Sequence, residues 1–112
     1  IIEIHRIKDV YQKYPNRFMK KIFTDQEIDY CRGRFPQIAA RFASKEAVMK
    51  ALGTGIRGVP WKSIEVYRPR GKAPEIILHG NAKRKAEDLG IKQIAISISH
   101  SRNYAVASVV AI

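Results

Sequence analysis

Between Arg41 and Gly55 the chain sets one acid among cations. Arg41, Lys45, Glu46 and Lys50 precede Gly53-Thr54-Gly55. A lone carboxylate beside cations can hold a divalent metal while the cations hold phosphate oxygens, a division of labour that suits phosphoryl transfer. Glu46 and Lys50 are also four residues apart on an expected helix, where an ordinary surface ion pair stabilises by ~0.3–0.5 kcal/mol. On a helical wheel Lys45 falls within the apolar stripe of Ile38, Met49 and Leu52. Its amine must therefore reach water or meet an anion, and reaching water is the simpler expectation. The two glycines let backbone N–H groups approach an anion. No G-x-x-x-x-G-K-[ST] loop is present, and a helix C-cap with a turn explains them equally well.

Ser97-Ile98-Ser99-His100-Ser101 places a histidine among hydroxyls at the end of an expected strand. No acid is positioned by sequence to orient it, so a nucleophilic triad is not indicated and a hydrogen-bonded turn histidine is expected. His5 and His79 stand alone and receive no role. Cys31 reads as a buried small hydrophobe rather than a nucleophile.

These residues need elements to carry them. Pro36 to Leu52 is the longest helical pattern, with proline in its first turn and Gly53 as its stop. Ala39, Ala43 and Ala47 form a flank of small residues on which a neighbour can come close. Earlier, Ile2 to His5 alternates like a strand already in progress, and Arg6 to Tyr14 is helical. Pro15-Asn16 interrupts it, and Arg17 to Phe23 adds a helical turn or two. Thr24-Asp25-Gln26-Glu27 has the form of a capping box, opening a helix to Arg32 with Gly33 as its stop. The second half turns to strands at Ile64–Tyr67, Glu75–His79, Gln93–His100 and Tyr104–Ile112. Between them lies a short basic helix, Ala82 to Leu89, capped by Asn81. The expected class is α+β: a largely antiparallel sheet packed against helices, with one long central helix.

At 112 residues the chain is one domain, 1–112. Its 46 % hydrophobic and 28 % charged residues exclude a disordered chain. One cysteine excludes an internal disulfide and a thiolate zinc site. No apolar run approaches a membrane span and no basic-then-apolar leader is visible, so a cytoplasmic protein is expected. Lys+Arg 21 against Asp+Glu 10 gives +11, a field that attracts polyanions and acidic proteins. A nucleic-acid-binding module, stacking bases on Tyr67 or Trp61, is one reading of that charge. Against it stand the absence of zinc-finger spacing, of an aromatic RNA-binding strand motif and of a continuous basic stripe.

Arg41-Phe42-Ala43-Ser44-Lys45-Glu46-Ala47-Val48-Met49-Lys50-Ala51-Leu52-Gly53-Thr54-Gly55-Ile56 resembles the signature of the holo-acyl-carrier-protein synthase family. Ile96 to Ser101 is similar to its late strand motif. Phe23-Thr24, with Glu27-Ile28 and Tyr30-Cys31, is similar to its early helix entry, and Ile1 to Ile7 to the tail of its N-terminal motif. The resemblance implies transfer of 4′-phosphopantetheine from coenzyme A to a serine of an apo-acyl carrier protein, with Mg²⁺ as cofactor. Under it, Glu46 is a metal ligand close to the proton leaving the serine, and Lys50 holds the pyrophosphate. Arg41, Lys45, Lys50, Gly53, Gly55 and His100 belong to the coenzyme A site, and Arg6 meets the acidic carrier protein. It further implies a homotrimer with sites between subunits, so that His100 serves a neighbour's site. The family's second metal carboxylate, an aspartate expected immediately before Ile1, is not in the sequence; a start missing from the chain is the expectation. A homologue that binds coenzyme A without turnover is the alternative. Whether a carrier of fatty acid or polyketide synthesis is served stays open.

Overall fold

The computed structural model describes residues 1–112, apart from the side chains of residues 56 and 57. Ile56, the last residue of the signature quoted above, therefore has a side chain outside the described residues. The chain begins with a two-residue strand β1 (Ile2–Glu3) and passes at once into α1 (Ile4–Lys13), α2 (Pro15–Ile22), α3 (Asp25–Cys31) and the long α4 (Phe35–Leu52). A four-residue helix α5 (Gly55–Gly58) and a 3-10 turn (Trp61–Ser63) lead to β2 (Ile64–Tyr67) and β3 (Glu75–Leu78). Then come α6 (Gly80–Asp88), β4 (Ile94–His100) and β5 (Tyr104–Ala111). β1, β5 and β4 form one sheet in that order, β2 and β3 another, and every pairing is antiparallel. The expected α+β architecture with a long central helix is the one observed.

Local chemistry accounts for the boundaries. Thr24 Oγ1 accepts from the Glu27 N–H at 3.2 Å while Glu27 Oε1 accepts from the Thr24 N–H at 2.9 Å, a complete capping box for α3. Gly53, at φ 72°, ends α4 in the left-handed conformation that glycine takes without a Cβ penalty. α4 packs along β5, and Ala39, Ala40 and Ala105 share one buried cluster. The neighbour that uses the small-residue flank is thus the protein's own sheet. The first half of α4 closes a core with α1, α2 and α3, and its second half, from Val48 to Leu52, closes another with Val59, Ile64 and α6.

Three expectations are corrected. The opening strand stops at Glu3, because Ile4 and Ile7 are both buried at helical spacing and the Ile4 N–H is taken by the Asn103 carbonyl at 2.8 Å. The helix is interrupted as expected, but at Tyr14, and α2 begins at Pro15 rather than Arg17, since a first-turn proline has no intrahelical bond to lose. α6 begins at Gly80, with His79 in the cap position, and the Asn81 side chain accepts from Arg84 instead of capping.

Candidate active site

Glu46 and Arg6 open on one cavity. It measures about 500 Å³ and lies between β1, α1, α2 and α4, floored by Ile7, Val10, Phe18 and Phe42, with Glu3 and Ile1 on its rim. Glu46 is partly exposed there, while Lys50, one turn further along α4, is exposed. The expected Glu46–Lys50 ion pair is not formed: among the described residues the ion pairs are His5–Glu3, Lys45–Glu27 and His79–Glu65. Both groups are therefore available to a ligand.

Arg41 faces elsewhere. Five residues before Glu46, it is turned about 140° around the helix axis. It lines a second cavity of about 340 Å³ with Tyr30, Gln37, Arg68, Pro74, Ser99 and His100. The Arg41 guanidinium carbon lies 3.9 Å from the centre of the Tyr30 ring, and the residue is only 4 % exposed. Among the described residues its side chain makes one hydrogen bond, a long one of 3.4 Å to the Gln37 carbonyl, and its Nε has no partner. Burial raises the Tyr30 phenol, but the Arg41 and Arg68 guanidiniums outweigh it and hold the group below the usual tyrosine range. A buried cation with a free donor, beside a second arginine and an exposed histidine, is a site for a multiply charged anion. His100 makes no side-chain hydrogen bond among the described residues, contrary to the expected turn histidine.

Lys45 corrects two expectations together. It does not reach water, and it cannot reach coenzyme A, because its ammonium is fully buried. It pairs with Glu27 Oε1 at 2.6 Å and donates to the carbonyls of Ile22 at 2.7 Å and Trp61 at 3.2 Å. Burial pulls the ammonium below the usual lysine range, with Glu27 pulling the other way. The cluster of three cations around Glu46 is thus dispersed: Arg41 turns to the second cavity, Lys45 turns inward, and Arg6 arrives from α1.

Gly53 and Gly55 take φ of 72° and 61°, and a Cβ at either would meet nothing within 4 Å. The C-cap reading of Gly53 is realised in its backbone. Between them, Thr54 Oγ1 is buried without a partner. Cys31 is fully buried as expected, and burial pushes its thiol up to about 11.

The sequence reading missed Tyr30, Arg68 and Pro74 beside Arg41 and His100, because the second cavity is assembled from α3, α4, β4 and the β2–β3 turn. It also missed His79, whose Nε2 lies 3.0 Å from Glu65 Oε1, while Glu65 Oε2 accepts from Thr24 Oγ1 at 2.7 Å. Trp61 stacks on Phe42 at 5.0 Å and 23°, so one of its faces is already used within the molecule.

Residues 1–109 match the model of the 4′-phosphopantetheinyl transferase superfamily. The holo-[acyl-carrier-protein] synthase of Koribacter versatilis is 45 % identical over 114 residues, which cover 98 % of this chain and 91 % of that protein. The corresponding synthase of Natranaerobius thermophilus is 47 % identical over 113 residues, covering 98 % and 90 %. Among solved structures, the Helicobacter pylori holo-[acyl-carrier-protein] synthase in complex with coenzyme A superimposes with a TM-score of 0.90 at 31 % identity. The match covers 99 % of this chain and 95 % of that one. A helix bearing Glu46 and Lys50, an anion-ready cavity at Arg41 and these full-length matches lead to one conclusion: the chain belongs to the holo-acyl-carrier-protein synthases of the 4′-phosphopantetheinyl transferase superfamily.

Proposed function

We infer that this chain transfers the 4′-phosphopantetheine group of coenzyme A to a serine of an apo-acyl carrier protein, releasing adenosine 3′,5′-bisphosphate. The observation that carries the reading is Glu46, without an ion-pair partner among the described residues, in the cavity shared with Arg6, in a chain that aligns over 99 % of its length with a synthase solved with coenzyme A. The serine oxygen forms a bond to the phosphorus bearing pantetheine, and the bond from that phosphorus to the bridging oxygen breaks. Such a transfer needs alignment and charge neutralisation more than an unusual nucleophile. Glu46 would lie beside the serine hydroxyl as its proton leaves. Lys50 would hold the pyrophosphate and neutralise charge on the departing bisphosphate. Arg41 and His100 would take phosphate from the nucleotide end, with Gly53 and Gly55 presenting backbone N–H groups. Arg6 would draw the acidic carrier protein to the mouth of the cavity.

The residues fit Mg²⁺. Among those described, no three His, Cys, Asp or Glu side chains gather into a metal site. Mg²⁺ does not need one, because beside phosphates it is held by one or two carboxylates, substrate oxygens and water. Glu46 would hold it, with the aspartate that the family carries just before the position of Ile1, itself on the rim of that cavity. When bound, the ion neutralises pyrophosphate charge.

Two features support the reading of a homotrimer with sites between subunits. The outer face of β4 and β5 presents Ala95, Ser97, Ser99, Val106, Ser108 and Val110, an uncharged surface on a chain of net charge +11. The two cavities also open on different sides of α4, so one coenzyme A would join Glu46 of one subunit to Arg41 and His100 of the next. Among the described residues no helix is long and apolar enough to cross a membrane, in keeping with the proposed cytoplasmic site of action. Glu46→Ala tests the reading: transfer should be lost while the melting temperature is kept, and a near-native rate would remove Glu46 from the chemistry.

A further inference from the structure

Lys45 is the fully buried cation of the signature helix, and it lines neither cavity. Its ammonium has three hydrogens and three acceptors, each on a different element: Ile22 O at the end of α2, Glu27 Oε1 on α3 and Trp61 O in the 3-10 turn. Glu27 is itself fixed, since its Oε2 accepts from the Val66 N–H of β2 at 2.9 Å and its Oε1 from the Thr24 N–H. The result is a tripod through the middle of α4, one residue before Glu46. α2 also carries Phe18, which lines the first cavity with Phe42 and Glu46 and packs its ring 6.4 Å from that of Phe42. The tripod therefore sets both the rotation of α4 and the gap between two walls of that cavity. A buried ion pair is a poor way to stabilise a core, because apolar side chains of similar volume often do as well or better. Its advantage is direction: three hydrogen bonds fix an orientation that apolar contacts leave free.

From this geometry we propose that Lys45, anchored by Glu27, is a positioning residue for phosphopantetheine transfer, holding α4 against α2 so that Glu46 meets the serine hydroxyl and the pyrophosphate. The proposal rests on the assignment of Glu46 to the transfer. The decisive variant is Lys45→Met with Glu27→Gln. It removes both charges, keeps side-chain length, and leaves an amide oxygen for one of the two backbone N–H groups that Glu27 accepts from. The expected result is a cooperative melt near the native temperature, unchanged KM for coenzyme A and carrier protein, and kcat lower by about tenfold to a hundredfold, as a misplacement near 1 Å costs. Glu27→Asp keeps both charges but shortens one leg of the tripod, and should lower kcat less, again at constant KM. A double variant that melts natively and turns over at the native kcat overturns the proposal. If the double variant does not fold, Glu27→Asp decides, and a native kcat there overturns it equally. Glu46→Ala run in parallel separates the two ideas. Persistent transfer in it removes the assignment on which the proposal stands. An inactive Glu46→Ala beside a fully active double variant removes the positioning role alone.

Discussion

Glu65 is 7 % exposed, and its neighbours set its charge. Burial raises its carboxyl, but the hydrogen bonds from Thr24 and His79 and the nearby Lys45 outweigh that and hold it below the usual range. An acid whose folded pKa lies below its unfolded value contributes stability above the unfolded value, ~4.3 for glutamate, and loses it as pH falls through the folded one. Glu65→Gln should therefore flatten the acid limb of the stability curve, which urea melts between neutral pH and pH ~3 would measure; an unchanged limb counts against the network. Arg41 is the opposite case, a buried cation short of partners. Arg41→Met should hold or raise the melting temperature, because it removes an underbonded buried charge. It should also raise KM for coenzyme A about tenfold or more, given ~1.5–3 kcal/mol for a hydrogen bond to a charged group. Sequence spacing put Lys45 in the apolar stripe, where it is. Its partner Glu27 lies in another helix, and no local pattern names a partner at that separation. The same holds for His79 and Glu65.

At the scale of elements, the start of α3 and the stop of α4 were legible because their causes are local. The Thr24–Glu27 box and the Gly53 stop are each complete within a few residues. Thr24→Ala should cost ~1 kcal/mol as a lost cap. It should cost more than a cap alone, because Glu65 also loses a donor at 2.7 Å. A thermal melt reads the sum, and Glu65→Gln combined with Thr24→Ala should show the two effects to be less than additive. Additive losses would mean that the cap and the network are independent. The strands Ile64–Tyr67 and Ile94–His100 were visible in composition and alternation. The opening alternation misled because two residues suffice for β1 once β5 offers it an edge, while Ile4 and Ile7 satisfy helical burial just as well. The second cavity was invisible for a related reason: Arg68 comes from a turn whose place beside Arg41 depends on how the small sheet meets α4.

For the whole molecule, the charge of +11 and the uncharged outer face of β4 and β5 make separate claims. In the proposed function the charge would serve an anionic coenzyme and an acidic protein, and the bare sheet face would serve association with other copies. Val106, 41 % exposed in the middle of that face, is the place to test the second claim. Val106→Lys should leave the subunit folded, shift sedimentation from trimer to monomer and abolish transfer together with it. A monomeric variant with native turnover would show that each subunit carries a complete site. The central claim is the transfer itself, and intact-mass spectrometry of an apo-acyl carrier protein incubated with this chain, coenzyme A and Mg²⁺ reads it most directly. The expected result is a gain of one phosphopantetheine per carrier, abolished by a chelator and by Glu46→Ala. A carrier whose mass stays at the apo value, with coenzyme A and Mg²⁺ in excess, would contradict it.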